Sequence, residues 1–200
     1  SLHDALPICA SGVRCRIARR GGAFAVAGSD AFTLRAEAPE DWNQLLESCS
    51  DETPERFVMM WAMDESEPDS EMLGTDGLFH LAQALEALNP AAKLRIDLVT
   101  RGAQAVGRNK PVALAQGAVI GLMRVIANEY PNFTCRGIDL PSAASAADGV
   151  LLWNELQEKD IEREIGRGGM GSVLLAERAD GQRVLLSEVP EHPARDVGEV

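Results

Sequence analysis

Aromatic side chains are scarce. One tyrosine, five phenylalanines and three tryptophans make up 4 % of the 200 residues. The core must therefore rest on Leu, Val, Ile, Ala and Met, which suits layers of helix and sheet better than an aromatic-rich sandwich. Positive charge is also short: 19 Lys and Arg stand against 31 Asp and Glu, a net charge of −12. Residues 37 to 76 hold thirteen acids and a single base, Arg56, so the whole excess sits there and the remainder is neutral. Such a surface repels phosphate backbones and argues against nucleic-acid binding. It reads as a solvated face with an acidic loop, or alternatively as a docking surface for a basic partner. The four cysteines, at 9, 15, 49 and 135, form no C-x-x-C pair, so neither a zinc ribbon nor a redox motif is present. Reduced cysteines, with no signal peptide read at the start, lead us to expect a cytoplasmic protein. No apolar run approaches the roughly 18 residues of a membrane helix, so no membrane partner is expected. No His, Cys or Asp residues fall at metal-ligand spacing, and no G-x-S-x-G occurs.

What is present is alternation. Hydrophobic residues at 46 % and charged residues at 25 % are ordinary for a globular chain, which is long enough to bury a core. Ala23–Val26 and Phe32–Leu34, set off by glycines, read as short strands. Pro39 to Cys49 reads as a helix with Trp42, Leu45, Leu46 and Cys49 on one side. Phe57 to Trp61 is a continuous apolar run, as expected of a strand covered on both faces. Asp64 to Asp76 reads as an acidic loop. A helix from Gly74 to Leu88 follows, with Leu78, Leu81, Leu85 and Leu88 as its buried stripe. Leu94–Val99 reads as the next strand. Pro111 should open a long helix ending at Tyr130, with Ala115, Val119, Leu122 and Ile126 buried and Gly117, Ala118 and Gly121 allowing close approach to the sheet. Phe133–Leu140 reads as a strand and Gly149–Glu158 as a helix. The expected fold is α/β, a truncated Rossmann-like, mostly parallel sheet with flanking helices, plus a C-terminal β-hairpin.

The stretch from Leu98 to Leu140 carries a specific resemblance. It contains Val99-Thr100-Arg101-Gly102-Ala103, Val106-Gly107, Ala115-Gln116, Gly121-Leu122 with Arg124, Glu129 and Pro131, and Ile138-Asp139-Leu140. In this order these runs resemble the ketoreductase region of modular polyketide synthases, and specifically its structural, non-catalytic half. Trp61, Leu81 and Gln83-Ala84-Leu85 extend the likeness over roughly residues 23 to 165. The resemblance implies a parent enzyme that reduces a β-ketoacyl chain on a carrier protein's phosphopantetheine arm with NADPH. It implies as partners the catalytic ketoreductase half and the neighbouring synthase domains, including the acyl carrier protein. The piece itself is expected to be non-catalytic and to bind no cofactor, NADPH belonging to the missing catalytic half.

The residues agree with a non-catalytic role. A short-chain reductase needs a glycine-rich turn, a Tyr-Lys pair and a Ser. Gly102 to Gly107 is not G-x-G-x-x-G, and the sole tyrosine, Tyr130, has Thr134 rather than lysine four residues on. Two readings fit Arg101 and Arg124: contact with a neighbouring domain or the cofactor half, or hydrogen bonds to backbone carbonyls at element ends.

A second motif lies near the end. Gly166-Arg167-Gly168-Gly169-Met170-Gly171-Ser172-Val173 fits G-x-G-x-x-G-x-V and resembles the phosphate-covering loop of bacterial Ser/Thr protein kinases, with Gly166, Gly168, Gly171 and Val173 as the candidate nucleotide contacts. Asp180-Gly181 between two apolar runs signals a hairpin. Ser187 stands where that family carries its phosphate-pairing lysine. The competing reading is a glycine-rich connector closing the structural half. Ser1 to Ile8 resemble the translation of a sequencing adapter. The expected organisation is an artefact at 1–8, a structural half truncated at its N-terminus at 9–165, and a glycine-rich hairpin and tail at 166–200. The alternative is a chimeric frame ending in the start of a kinase N-lobe.

Overall fold

The computed structural model describes residues 14–50, 54–63, 70–104, 113–157, 164–168, 171–177 and 183–188; at 70–73, at 115 and beyond 163 only the backbone is described. A small sheet comes first. Its strands are β1 (Ile17–Arg20), β2 (Ala25–Val26) and β3 (Ala31–Leu34). β3 is central, parallel to β1 and antiparallel to β2. Helix α1 (Pro39–Glu47) follows, with proline in its first turn, where a missing N–H costs no helical hydrogen bond. Trp42, Leu45, Leu46 and Cys49 are all buried, as their spacing required.

The main body is a six-stranded sheet. β4 (Arg56–Met59), β5 (Leu94–Arg101) and β6 (Phe133–Leu140) run parallel. Helix α2 (Ser70–Leu88) links the first pair and α3 (Gly117–Glu129) the second. After α4 (Asp148–Gln157), the strands β7 (Glu164–Gly168), β8 (Gly171–Glu177) and β9 (Arg183–Glu188) fold back antiparallel, giving the order β4-β5-β6-β9-β8-β7. β5 and β6 are buried almost throughout, as strands with cover on both faces must be. Leu94, Ile96, Leu98, Phe133 and Cys135 face α1, α2 and α3; Val99, Ile138 and Leu140 meet Leu152 and Leu156 of α4. The α/β architecture is the one the alternating pattern required.

Several local expectations are corrected. The apolar run after Phe57 leaves the sheet at Met59, and Trp61 to Met63 form a 3-10 turn that tucks the indole of Trp61 5.2 Å from that of Trp42. Residues 70 to 76 belong to α2 rather than to the acidic loop. Leu88 is half exposed because α2 runs past the core. On α3 the helix begins at Gly117, after a 3-10 turn at Leu114–Gln116; Pro111 and Val106-Gly107 lie outside the described residues. Its buried stripe is Val119, Met123 and Ile126, with Leu122 only partly covered.

Helix α3 is thus turned so that Gly117, Ala118 and Gly121 point away from the sheet. They are exposed, and a Cβ at either glycine would meet nothing within 4 Å. The close approach that glycine permits occurs on α2 instead. A Cβ at Gly77 would lie 2.9 Å from the Trp61 ring, and one at Gly74 would lie 3.1 Å from the Ala62 backbone.

Candidate functional site

In open parallel sheets, ligands are held at the carboxyl ends of the strands. That is where the residues of the Val99–Ala103 and Ile138–Leu140 runs converge. β5 and β6 pair in register from Leu94↔Phe133 to Arg101↔Leu140, so Thr100 stands opposite Asp139. The buried Asp139 carboxylate accepts the Thr100 hydroxyl at 2.8 Å. It also accepts the backbone N–H of Ala103 and of Gln104, each at 3.0 Å. One carboxylate therefore holds the turn that leaves β5, because no neighbouring strand is there to take its amides. Gly102 makes the turn possible. Its φ of +59° is left-handed, and a Cβ would lie 2.8 Å from the Cβ of Ser142.

Arg101 and Gln116 lock the same corner. The Gln116 amide grips the Arg101 backbone, accepting its N–H at 2.8 Å and donating to its carbonyl at 3.3 Å. The Arg101 guanidinium donates to the Pro141 carbonyl at 2.8 Å and to Asp148 at 2.6 Å. Asp148 sits in the first turn of α4, accepts the Ser145 N–H at 3.1 Å, and places a carboxylate where the helix dipole favours one. One arginine thus ties β5, the loop after β6 and α4 together through bonds suited to its planar fork. Arg124 is only partly covered on α3 and, among the described residues, pairs with no carboxylate.

The described amides that leave β5 are already occupied. A phosphate-holding turn needs free backbone N–H groups. Here those of Ala103 and Gln104 are engaged by a carboxylate, whose charge also repels phosphate. Tyr130 is stacked on Phe133, with ring centroids 5.2 Å apart. His80, on α2, lies 3.4 Å from Gln83. Among the described residues, no group of three or more His, Cys, Asp or Glu could hold a metal ion, and no helix is long and apolar enough to cross a membrane.

A second polar cluster lies under α4 and escaped the sequence reading. Asp97, on β5, accepts Arg56 Nε at 2.5 Å, Arg136 Nε at 2.8 Å and Arg95 Nε at 3.4 Å. Arg56 also donates to the Leu156 carbonyl at 2.7 Å, capping the last turn of α4 with positive charge. Burial lowers the Arg136 guanidinium from its ordinary pKa, and Asp97 opposes that shift. The signal available in sequence was charge inside two otherwise apolar strands.

Gly166 and Gly168 lie in β7, and Gly171 and Val173 in β8; residues 169 and 170 are outside the described set. Gly166 pairs with Val173 and Gly168 with Gly171, and β8 continues through β9 into β6. The expected hairpin, β8–β9, is therefore part of the main sheet.

The outer side of the helix layer is apolar. α2 and α3 leave a groove of about 230 Å³ lined by Phe79, Ala82, Leu122, Val125, Ile126 and Tyr130, beside Glu129. Phe79 is 43 % exposed and Val125 53 %.

Known proteins match this arrangement. The model of the beta-ketoacyl synthase-like, N-terminal family matches residues 8–158. A multidomain structure with adenylation, ketoreductase and pseudo Asub domains, from a keto acid-selecting NRPS module, is similar at a TM-score of 0.71 and 19 % identity; the match covers 96 % of this chain and 16 % of that one. An N-terminal ketoreductase from the macrolactin assembly line is similar at 0.60 and 16 % identity, over 86 % of this chain and 40 % of that one. The chain thus spans well under half the length of either structure. No curated protein sequence matches it. With three quarters of its residues matched, the chain belongs to the beta-ketoacyl synthase-like, N-terminal family.

Proposed function

We propose that this chain is the structural half of a polyketide synthase ketoreductase, and that it braces a catalytic half that binds NADPH and reduces a β-ketoacyl group. The observation that carries this reading is the uncovered apolar face of α2 and α3. Phe79 and Val125 stand exposed beside the apolar groove between the two helices. An apolar groove with large side chains exposed at its rim can seat apolar groups of a partner. The strand-end corner supports the same division of labour, because its polar groups hold backbone and one another. NADPH, the substrate on its acyl carrier protein and the proton donor belong to the partner half, within a cytoplasmic megasynthase. The glycine run of β7 and β8 closes the sheet in this reading, and its pairing through β9 to β6 favours that over a nucleotide-covering loop.

The test is reconstitution. The chain and the catalytic half of its ketoreductase are expressed as separate polypeptides and assayed for NADPH oxidation with a β-ketoester. The chain alone should be inactive, and adding it should raise the activity of the catalytic half. Phe79→Asp and Val125→Asp should abolish that gain while the circular dichroism of the chain is unchanged. Reduction by the chain alone, or a catalytic half indifferent to it, would overturn the proposal.

A further inference from the structure

We draw no further inference here: the strongest candidate, the apolar groove between α2 and α3 with the glycine-smooth face of α3 beside it, belongs to the surface already assigned to the catalytic half, and nothing in the structure shows a second occupant.

Discussion

Asp97 and Arg136 are register partners on adjacent parallel strands, and the Arg136 Nε lies 2.8 Å from the Asp97 carboxylate with both side chains almost wholly buried. Arg56 and Arg95 converge on the same carboxylate, so a single buried anion answers three guanidinium groups. Removing it leaves buried positive charge uncompensated. Asp97→Ala should destabilise the fold by roughly 3–5 kcal/mol, measured by urea unfolding followed by circular dichroism. A loss below about 1 kcal/mol, the level of an exposed pair, would mean that the cluster is hydrated rather than enclosed.

Two glycines should answer alanine in opposite directions. Gly102 is left-handed and crowded by Ser142, so Gly102→Ala should cost at least about 1–2 kcal/mol. Gly121 lies within α3 with open space around its Cα, so Gly121→Ala should stabilise by about 0.5–1 kcal/mol. Thermal melts of the two variants decide it. Equal effects would contradict either the turn geometry or the outward rotation of α3.

Acid sensitivity should run through Asp41. Its side chain accepts Arg35 three times: from the backbone N–H at 3.0 Å, from Nε at 3.0 Å and from Nη2 at 2.7 Å. The Arg35 side-chain hydrogen bond is the main cause that holds the Asp41 carboxyl below its ordinary value, against the opposing effect of burial. A depressed folded pKa means that the unfolded chain takes up a proton first as pH falls. The stabilisation is complete above the unfolded value, near 4, and is lost as pH drops through the folded one. Arg35 is 38 % exposed, so solvent and salt screen part of the effect. Asp41→Asn should flatten the fall of stability with pH below about 4. An unchanged slope in denaturant titrations at pH 3 to 6 would show that other carboxylates dominate.

Cys135 should be inert until the chain opens. It is buried in β6, and burial, with Asp97 nearby as the second cause, pushes its thiol up to about 12. Only the thiolate reacts, so iodoacetamide at pH 8 should leave Cys135 unmodified in the folded protein and modify it in urea. Peptide mass mapping reads the outcome. Rapid native modification would place β6 at an open edge rather than between β5 and β9.

The strands and helices of the main body were legible because their patterns are local. Leu78, Leu81 and Leu85 repeat at helical spacing, and Phe133 to Leu140 is a bounded run of strand length; β6 has the expected bounds, and α2 ends at Leu88 as expected but starts four residues earlier, at Ser70. The misreadings lie where a neighbour decides. Nothing local says that Trp61 should abandon the strand. It does so because Gly74 and Gly77 let α2 press against that turn. The spacing on α3 puts Leu122 in the buried stripe, yet Met123 takes that place, because several small and apolar residues compete and only contact with the rest of the core chooses the angle.

The composition and the order of apolar runs were enough to determine the parallel, helix-flanked part of the sheet, β4 to β6, since the periodicity of each segment sets its type and strands buried on both faces suit parallel pairing. What the tertiary structure alone decided is the work of the polar residues. Thr100, Arg101, Gln116, Asp139 and Asp148 lie up to 48 positions apart, and only the β5–β6 register brings them to one corner, where they hold the chain in place. A hydrogen bond acts over about 3 Å and is indifferent to sequence separation, so its partners are settled by the fold.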